Sequence, residues 1–140
     1  MVEFGMLEYE AVIEDLRVVL EADSRIAHAL LFGSSVKGTT HFRSDVDVAI
    51  GVIDRRRLDV MEIGGLRSRL EAAVGRPVDL VILDEAPPGL AYRVFRDGRL
   101  IFARDEQSLA ARRARATLEY IDFRPLEELC ARGVLAANGR

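Results

Sequence analysis

The sequence predicts an α+β fold, in which a mixed β-sheet is flanked by helices. Short apolar runs with strand character alternate along the chain with longer segments whose apolar residues recur at helical spacing. The turn signal Arg96-Asp97-Gly98 precedes a late apolar run, which favours hairpin-like closure of the sheet. No repeat, low-complexity tract or linker interrupts the alternation, so residues 1–140 are expected to form a single domain.

The first elements follow from this spacing. Between Glu8 and Ala22 apolar residues recur every three or four positions, which predicts a helix with its apolar side at Val12, Ile13, Leu16, Val19 and Leu20. The apolar run from Ile26 to Phe32 predicts the first strand, and the run from Val46 to Ile53 predicts the second.

The later elements are marked by glycine, proline and a capping aspartate. A second amphipathic helix is predicted from Leu58 to Val74, and Gly75-Arg76-Pro77 is expected to end it. The remaining elements are a third strand over Val78–Leu83, a short helix from Pro87-Pro88 through Phe95, a fourth strand over Leu100–Ala103, a helix capped by Asp105 that runs to about Ile121, and a last helix over Leu126–Ala136.

The composition is that of a compact globular protein, with 49% hydrophobic and 31% charged residues. The N-terminal residues lack a signal-peptide pattern, and no apolar stretch has the length needed to cross a bilayer. The single cysteine, Cys130, is expected to pack within a helix; it excludes an internal disulfide and fits a cytoplasmic protein. A net charge of −3 argues against broad binding of polyanions.

Between the first two predicted strands lies the pattern GS-x10-D-x-D, formed by Gly33-Ser34 and Asp45-Val46-Asp47. Alternate residues of a strand point to the same face, so Asp45 and Asp47 are expected to share a face, with Cα atoms about 6.5–7 Å apart. This spacing suits carboxylates that bind Mg²⁺. The Gly-Ser turn offers backbone N–H groups and a hydroxyl to phosphate oxygens. Either half alone is also typical of a solvated strand end or a plain turn, but together they indicate nucleotidyl transfer.

Asp79 interrupts the third predicted strand between Val78 and Leu80. Because an unpaired carboxylate is costly to bury, this position predicts a partner or a metal ion for Asp79.

With these residues the chain resembles the minimal nucleotidyltransferases of the DNA polymerase β superfamily, in particular the MNT (MntA-like) antitoxins paired with HEPN toxins. Members typically carry G-S-x-x-x-G, a loop and S-D-x-D, and the matching residues here are Gly33, Ser34, Gly38, Ser44, Asp45 and Asp47. A third carboxylate is expected on a later strand, where Asp79 stands in the sequence PVDLV. The likeness continues through residues 86–102 and 120–125, and so covers nearly the whole chain.

The resemblance implies a polymerase β-like nucleotidyltransferase fold and Mg²⁺-dependent transfer of AMP from ATP. It implies Asp45, Asp47 and Asp79 as metal ligands and catalytic residues, with Asp79 also deprotonating the acceptor hydroxyl. Binding of the nucleotide is implied for Gly33, Ser34, Ser35, Lys37 and Ser44. A lysine at position 37 is equally typical of an exposed loop.

Several polar residues outside the motif residues have two possible interpretations. His41, in the loop between the motif halves, is either close to a base or phosphate or an ordinary loop histidine, whereas His28, within the first strand, is expected to be structural. The clusters Arg55-Arg56-Arg57 and Arg112-Arg113-Ala114-Arg115 are typical of solvated faces. Their alternative is a docking surface for an acidic partner, or for RNA held by a partner.

Three functions remain open on the sequence. The first is an antitoxin enzyme that transfers AMP to a hydroxyl, expected to be a tyrosine, of a cognate HEPN ribonuclease toxin. The second is an antitoxin that neutralises the toxin by binding alone, and the third is a nucleotidyltransferase that acts on a small molecule such as an antibiotic. The intact set of Ser34, Asp45, Asp47 and Asp79 favours catalysis over binding alone.

Overall fold

The computed structural model describes residues 2–33 and 45–132, with side chains described from Tyr9 onward except that of Glu127. Its elements, in chain order, are α1 (Val2–Glu21), β1 (Ile26–Phe32), β2 (Val46–Val52), α2 (Val60–Val74), β3 (Val78–Ile82), α3 (Pro88–Asp97), β4 (Arg99–Ala103) and α4 (Glu106–Ala131). Single 3₁₀ turns at Ile53–Arg55 and Leu83–Glu85 follow β2 and β3. These turns end both strands one residue earlier than predicted.

The four strands form one mixed sheet in the order β3-β2-β1-β4. β1 pairs antiparallel with β2 and with β4, whereas β2 and β3 are parallel and are joined through α2. The predicted mixed sheet flanked by helices is therefore confirmed, with β4 closing onto β1.

Each face of the sheet carries its own apolar core. On one face, β-strand residues such as Val46, Val48 and Ile50 pack with Leu16 of α1 and Leu66 of α2. On the other face, alternate strand residues pack against α3 and α4. The buried residues of this second core are Leu30, Ala49, Leu83, Ala91, Val94, Phe95, Leu109 and Ala116. The alternation along β2 therefore fixes which face each of its side chains occupies.

The predicted helix ends at Gly75 and Asp105 agree with the structure. Gly75 adopts a left-handed φ of +69° at the C-terminus of α2, and the Asp105 side chain accepts a hydrogen bond from the Gln107 backbone N–H at 3.0 Å. α1 begins earlier than predicted, at Val2. Within residues 2–33 and 45–132, no helix is long and apolar enough to cross a membrane.

Two expectations for the C-terminal region are wrong. The chain does not form separate helices up to Ile121 and from Leu126, because α4 runs without a break from Glu106 to Ala131 with Pro125 inside it. Pro125 is exposed, so the hydrogen bond that its missing N–H removes can be replaced by water. Cys130 does not pack against other elements, because it lies on an exposed side of α4. Residues 133–136 of the last predicted helix lie outside the described residues.

Candidate active site

The three motif aspartates lie at the same end of the sheet. Asp47 is the second residue of β2 and Asp79 the second residue of β3, and the parallel register pairs them directly. Paired residues on neighbouring strands lie about 4.8 Å apart and point to the same face. Asp45 precedes β2 by one residue, so it shares this alternation with Asp47. Since Val46 and Val48 fill the core beneath α1 and α2, the carboxylates face the side of α3 and α4.

Gly33, at the end of β1, makes room for the Asp47 carboxylate. Its neighbour Phe32 is the register partner of Asp47. Gly33 adopts a φ of +78°, and a Cβ atom built there would lie 2.2 Å from Asp47 Oδ2. Glycine is thus required twice, by the left-handed backbone and by the contact with the carboxylate.

We expect Gly33→Ala to lower catalysis far more than stability. The left-handed backbone costs alanine about 1–2 kcal/mol, and the Cβ atom must displace Asp47 Oδ2. A misplaced ligand of this kind costs on the order of 100-fold in rate. Steady-state nucleotidyl transfer and denaturant unfolding measure the two effects.

Gly75→Ala is the matched control for this variant. Gly75 also has a left-handed φ, +69°, but a Cβ atom there meets nothing within 4 Å. The two variants should therefore lose similar stability, and only Gly33→Ala should lose activity. Equal activity of the two variants would contradict the role of Gly33 in positioning Asp47.

The electrostatics of the site follow from its crowding. Partial burial raises the pKa of Asp47, and the neighbouring carboxylates of Asp79 and Asp45 raise it further. A divalent cation removes this penalty by neutralising the carboxylates. The geometry therefore fits a metal ion at Asp47 and Asp79, although no three acidic, histidine or cysteine side chains in residues 9–33 and 45–132 already converge as a complete ligand set.

Asp79 differs from the sequence expectation in its environment. It is exposed, because β3 is an edge strand of the sheet and its burial is incomplete on both faces. The argument from the cost of burial is therefore wrong for Asp79. Its direct pairing with Asp47 is what relates it to the site.

Most residues expected to bind the nucleotide lie between Gly33 and Asp45 in the sequence. Ser34, Ser35, Lys37 and Ser44 lie outside the described residues, as do Gly38 and His41. Their roles stay predictions.

A second polar cluster was not recognisable from the sequence. Arg112 Nε donates to Asp84 Oδ1 at 3.1 Å, and Arg115 Nη2 lies 3.4 Å from the same oxygen. Arg112 is almost entirely buried, so the second basic cluster is not simply a solvated face. The buried position of His28 within β1 agrees with its expected structural environment. No local pattern relates Asp84 to arginines that follow some thirty residues later.

Comparisons with known proteins bear on the family and the fold. No curated protein sequence matches the chain. Among solved structures, a chain of a toxin–antitoxin complex with AMP-PNP superposes with a TM-score of 0.77 at 23% identity, over 88% of this chain and 98% of that chain. A chain of a complex between tri-AMPylated Shewanella oneidensis HEPN toxin and MNT antitoxin superposes with a TM-score of 0.68 at 21% identity, over 94% and 98% of the two chains.

The sequence profile of the family described as Polymerase beta, Nucleotidyltransferase matches residues 14–107. This range contains all three aspartates and Gly33, and the solved structures share the fold that the motif implied. The chain belongs to the polymerase β nucleotidyltransferase family.

Proposed function

We propose that this protein is a Mg²⁺-dependent nucleotidyltransferase of the cytoplasm that transfers AMP from ATP to a tyrosine hydroxyl of a partner HEPN ribonuclease toxin, and so acts as its antitoxin. The observation that carries the proposal is the direct pairing of Asp47 with Asp79, with Gly33 held against the Asp47 carboxylate. The family supports the reaction class. The two similar complexes, one with AMP-PNP and one with a tri-AMPylated toxin, support the nucleotide and the acceptor.

The chemistry assigns a separate task to each residue. Asp45, Asp47 and Asp79 would hold Mg²⁺, which when bound neutralises phosphate charge. Asp79, which is more exposed than its register partner Asp47, would accept the proton of the acceptor hydroxyl. The hydroxyl oxygen then bonds to the α-phosphorus of ATP, the bond from that phosphorus to the bridging oxygen breaks, and pyrophosphate leaves. Ser34, Ser35, Lys37 and Ser44 are proposed to bind the triphosphate.

A protein acceptor agrees with the surface of α4. Leu118, Ile121 and Leu126 are each half or more exposed there. Apolar side chains grouped on one exposed helix are typical of contact with another protein. The proposal assigns this contact to the toxin, whose addition of AMP would place bulk and negative charge where RNA phosphates must approach.

The acceptor is tested by incubating the protein with labelled ATP, Mg²⁺ and its co-encoded toxin. We expect label on a toxin tyrosine, identified by mass spectrometry, together with loss of ribonuclease activity. Asp45→Asn should abolish both, because it removes a proposed metal ligand, whereas Asp15→Asn on the exposed side of α1 should change neither. If the Asp45→Asn protein still neutralises an unmodified toxin, binding alone explains the antitoxin. If the toxin stays unlabelled and a small hydroxyl compound added in a parallel incubation is labelled, the acceptor is a small molecule.

Binding of ATP is expected to depend on the metal. ATP should raise the melting temperature with Mg²⁺ present and much less with EDTA, because the ion links the clustered carboxylates to the phosphates. Titration calorimetry under both conditions measures this difference. Equal affinity for ATP with and without EDTA would contradict a metal-linked site.

A further inference from the structure

A cavity lies at the opposite end of the sheet from the aspartates. Its volume is about 560 Å³, and it is bounded by the start of β1, the end of β2 and the first turns of α4. Cavities of this size are typical of sites for small ligands. Neither the family motif nor the proposed reaction uses any residue that lines it.

The charges in this cavity are unevenly matched. Four arginines and three aspartates line it. Arg104 and Asp105 are engaged elsewhere, because the Arg104 guanidinium donates to backbone carbonyls, including that of Ile26 at 3.0 Å, and Asp105 caps α4. The carboxylate of Asp84 contacts both Arg112 and Arg115, and Glu119, outside the lining, also acts electrostatically on Arg115.

This imbalance leaves positive charge that an anion can offset. Burial, Arg112 and Arg55 together lower the pKa of Arg115 and outweigh the opposite effects of Glu119 and Asp84. Asp54 and Arg55 also line the cavity. Both residues adopt left-handed φ values, of +56° and +55° respectively. Such backbone is uncommon for residues other than glycine, and it is found at ligand-binding sites.

Several buried nitrogen atoms of residues that line the cavity have no hydrogen-bond partner among the described residues. They are Nδ1 and Nε2 of His28, Nη1 of Arg112 and Nε of Arg115. His28 is 4% exposed and the Arg112 side chain 9% exposed. Since buried polar groups are nearly always bonded, these atoms are expected to be bonded to water or to a bound group.

His28 is held in this cavity by the shape of the neighbouring strand. A Cβ atom at Gly51 would lie 2.2 Å from His28 Nε2, so only glycine leaves space for the imidazole. Burial lowers the pKa of His28, with Arg112 and Arg113 acting in the same direction against Asp84. The imidazole is therefore neutral near pH 7 and offers one donor and one acceptor.

We infer that this cavity is a second ligand site, which binds the phosphate group of a small molecule through Arg112, Arg115 and His28. The three side chains line one cavity and carry N–H donors, and a phosphate supplies several acceptor oxygens and a negative charge. The volume admits a ligand as large as a mononucleotide. The site is independent of the metal ion proposed at Asp47.

The test uses three probes, inorganic phosphate, pyrophosphate and AMP, titrated calorimetrically into the Asp47→Asn protein in EDTA. This background removes binding at the proposed catalytic site. We expect saturable binding that Arg115→Gln weakens by about tenfold or more, the effect of losing a charge-assisted hydrogen bond. Arg124→Gln is the matched control, because it removes the same charge from an exposed position on α4. Equal binding of phosphate and AMP identifies a phosphate site, and a preference for AMP identifies a nucleotide site.

A second measurement does not depend on how well the arginine variants fold. The chain has two histidines, so His41→Gln leaves His28 as the single imidazole in a ¹⁵N NMR spectrum. The same probes should shift both His28 ring nitrogens with the affinity found by calorimetry. The inference fails if millimolar probes leave these nitrogens unchanged, if Arg115→Gln binds as tightly as Arg124→Gln, or if binding requires Mg²⁺ and an intact Asp47.

Discussion

Asp47→Asn is expected to abolish nucleotidyl transfer while the protein remains folded. The substitution nearly preserves volume but removes one charge from the carboxylates that are proposed to bind Mg²⁺. Stabilisation of transition-state charge by a metal ion is worth several kcal/mol, and about 1.4 kcal/mol is a factor of ten, so activity should fall at least about 100-fold. Single-turnover assays with labelled ATP measure the loss, with Asp15→Asn as the control. Turnover by Asp47→Asn at the wild-type rate would exclude Asp47 as a catalytic metal ligand.

The same variant should be more stable than the metal-free wild type at neutral pH. Because the pKa of Asp47 is raised in the folded state, its ionised form destabilises the fold; this penalty is absent below the ordinary pKa and complete above the folded-state pKa. The difference in melting temperature between Asp47→Asn and the wild type, both in EDTA, should therefore grow as pH rises through that window. A difference that is constant with pH would contradict the crowding of the carboxylates.

Asp84→Asn is expected to cause the largest loss of stability among single charge changes near the second site. Asp84 accepts from Arg112 at 3.1 Å, and Arg112 is almost entirely buried, so the substitution leaves a buried guanidinium without its counter-charge. Removing one partner of a buried ion pair costs about 3–5 kcal/mol. Urea unfolding of the metal-free protein measures this change.

Glu14→Gln provides the surface comparison. Glu14 pairs with Arg17 at 2.5 Å, but both side chains are exposed, and such pairs contribute about 1 kcal/mol or less. Comparing the losses of unfolding free energy in Asp84→Asn and Glu14→Gln shows how much of the effect is due to burial of the ion pair. A loss below about 1 kcal/mol for Asp84→Asn would mean that water or another group already compensates Arg112.

The strands and the motif could be read from the sequence because both are encoded locally. The apolar runs of β1 and β2 are bounded by turn residues, and the aspartate spacing follows from strand alternation. Edge position is not local information. The exposure of Asp79 follows from the place of β3 at the end of the sheet, which no feature of PVDLV specifies.

The remaining differences have similar causes. Pro125 predicts a helix end, but an exposed proline within a long helix is tolerated when solvent replaces the missing hydrogen bond. The ion pair between Asp84 and Arg112 joins the end of β3 to α4, and such a contact depends on how the helices cover the sheet. Sequence periodicity describes each element but not this packing.

The strand order also determines when each part of the molecule can form during folding. Leu30 pairs with Ala49 on one side and with Leu100, much later in the chain, on the other. Closing the longer loop costs more chain entropy, and contacts between distant residues slow folding. The three motif aspartates and Gly33 lie on or beside β1, β2 and β3, whereas the cavity also needs the start of α4. During synthesis from the N-terminus, the aspartate-bearing strands are therefore complete before the ribosome has released the residues that enclose the cavity.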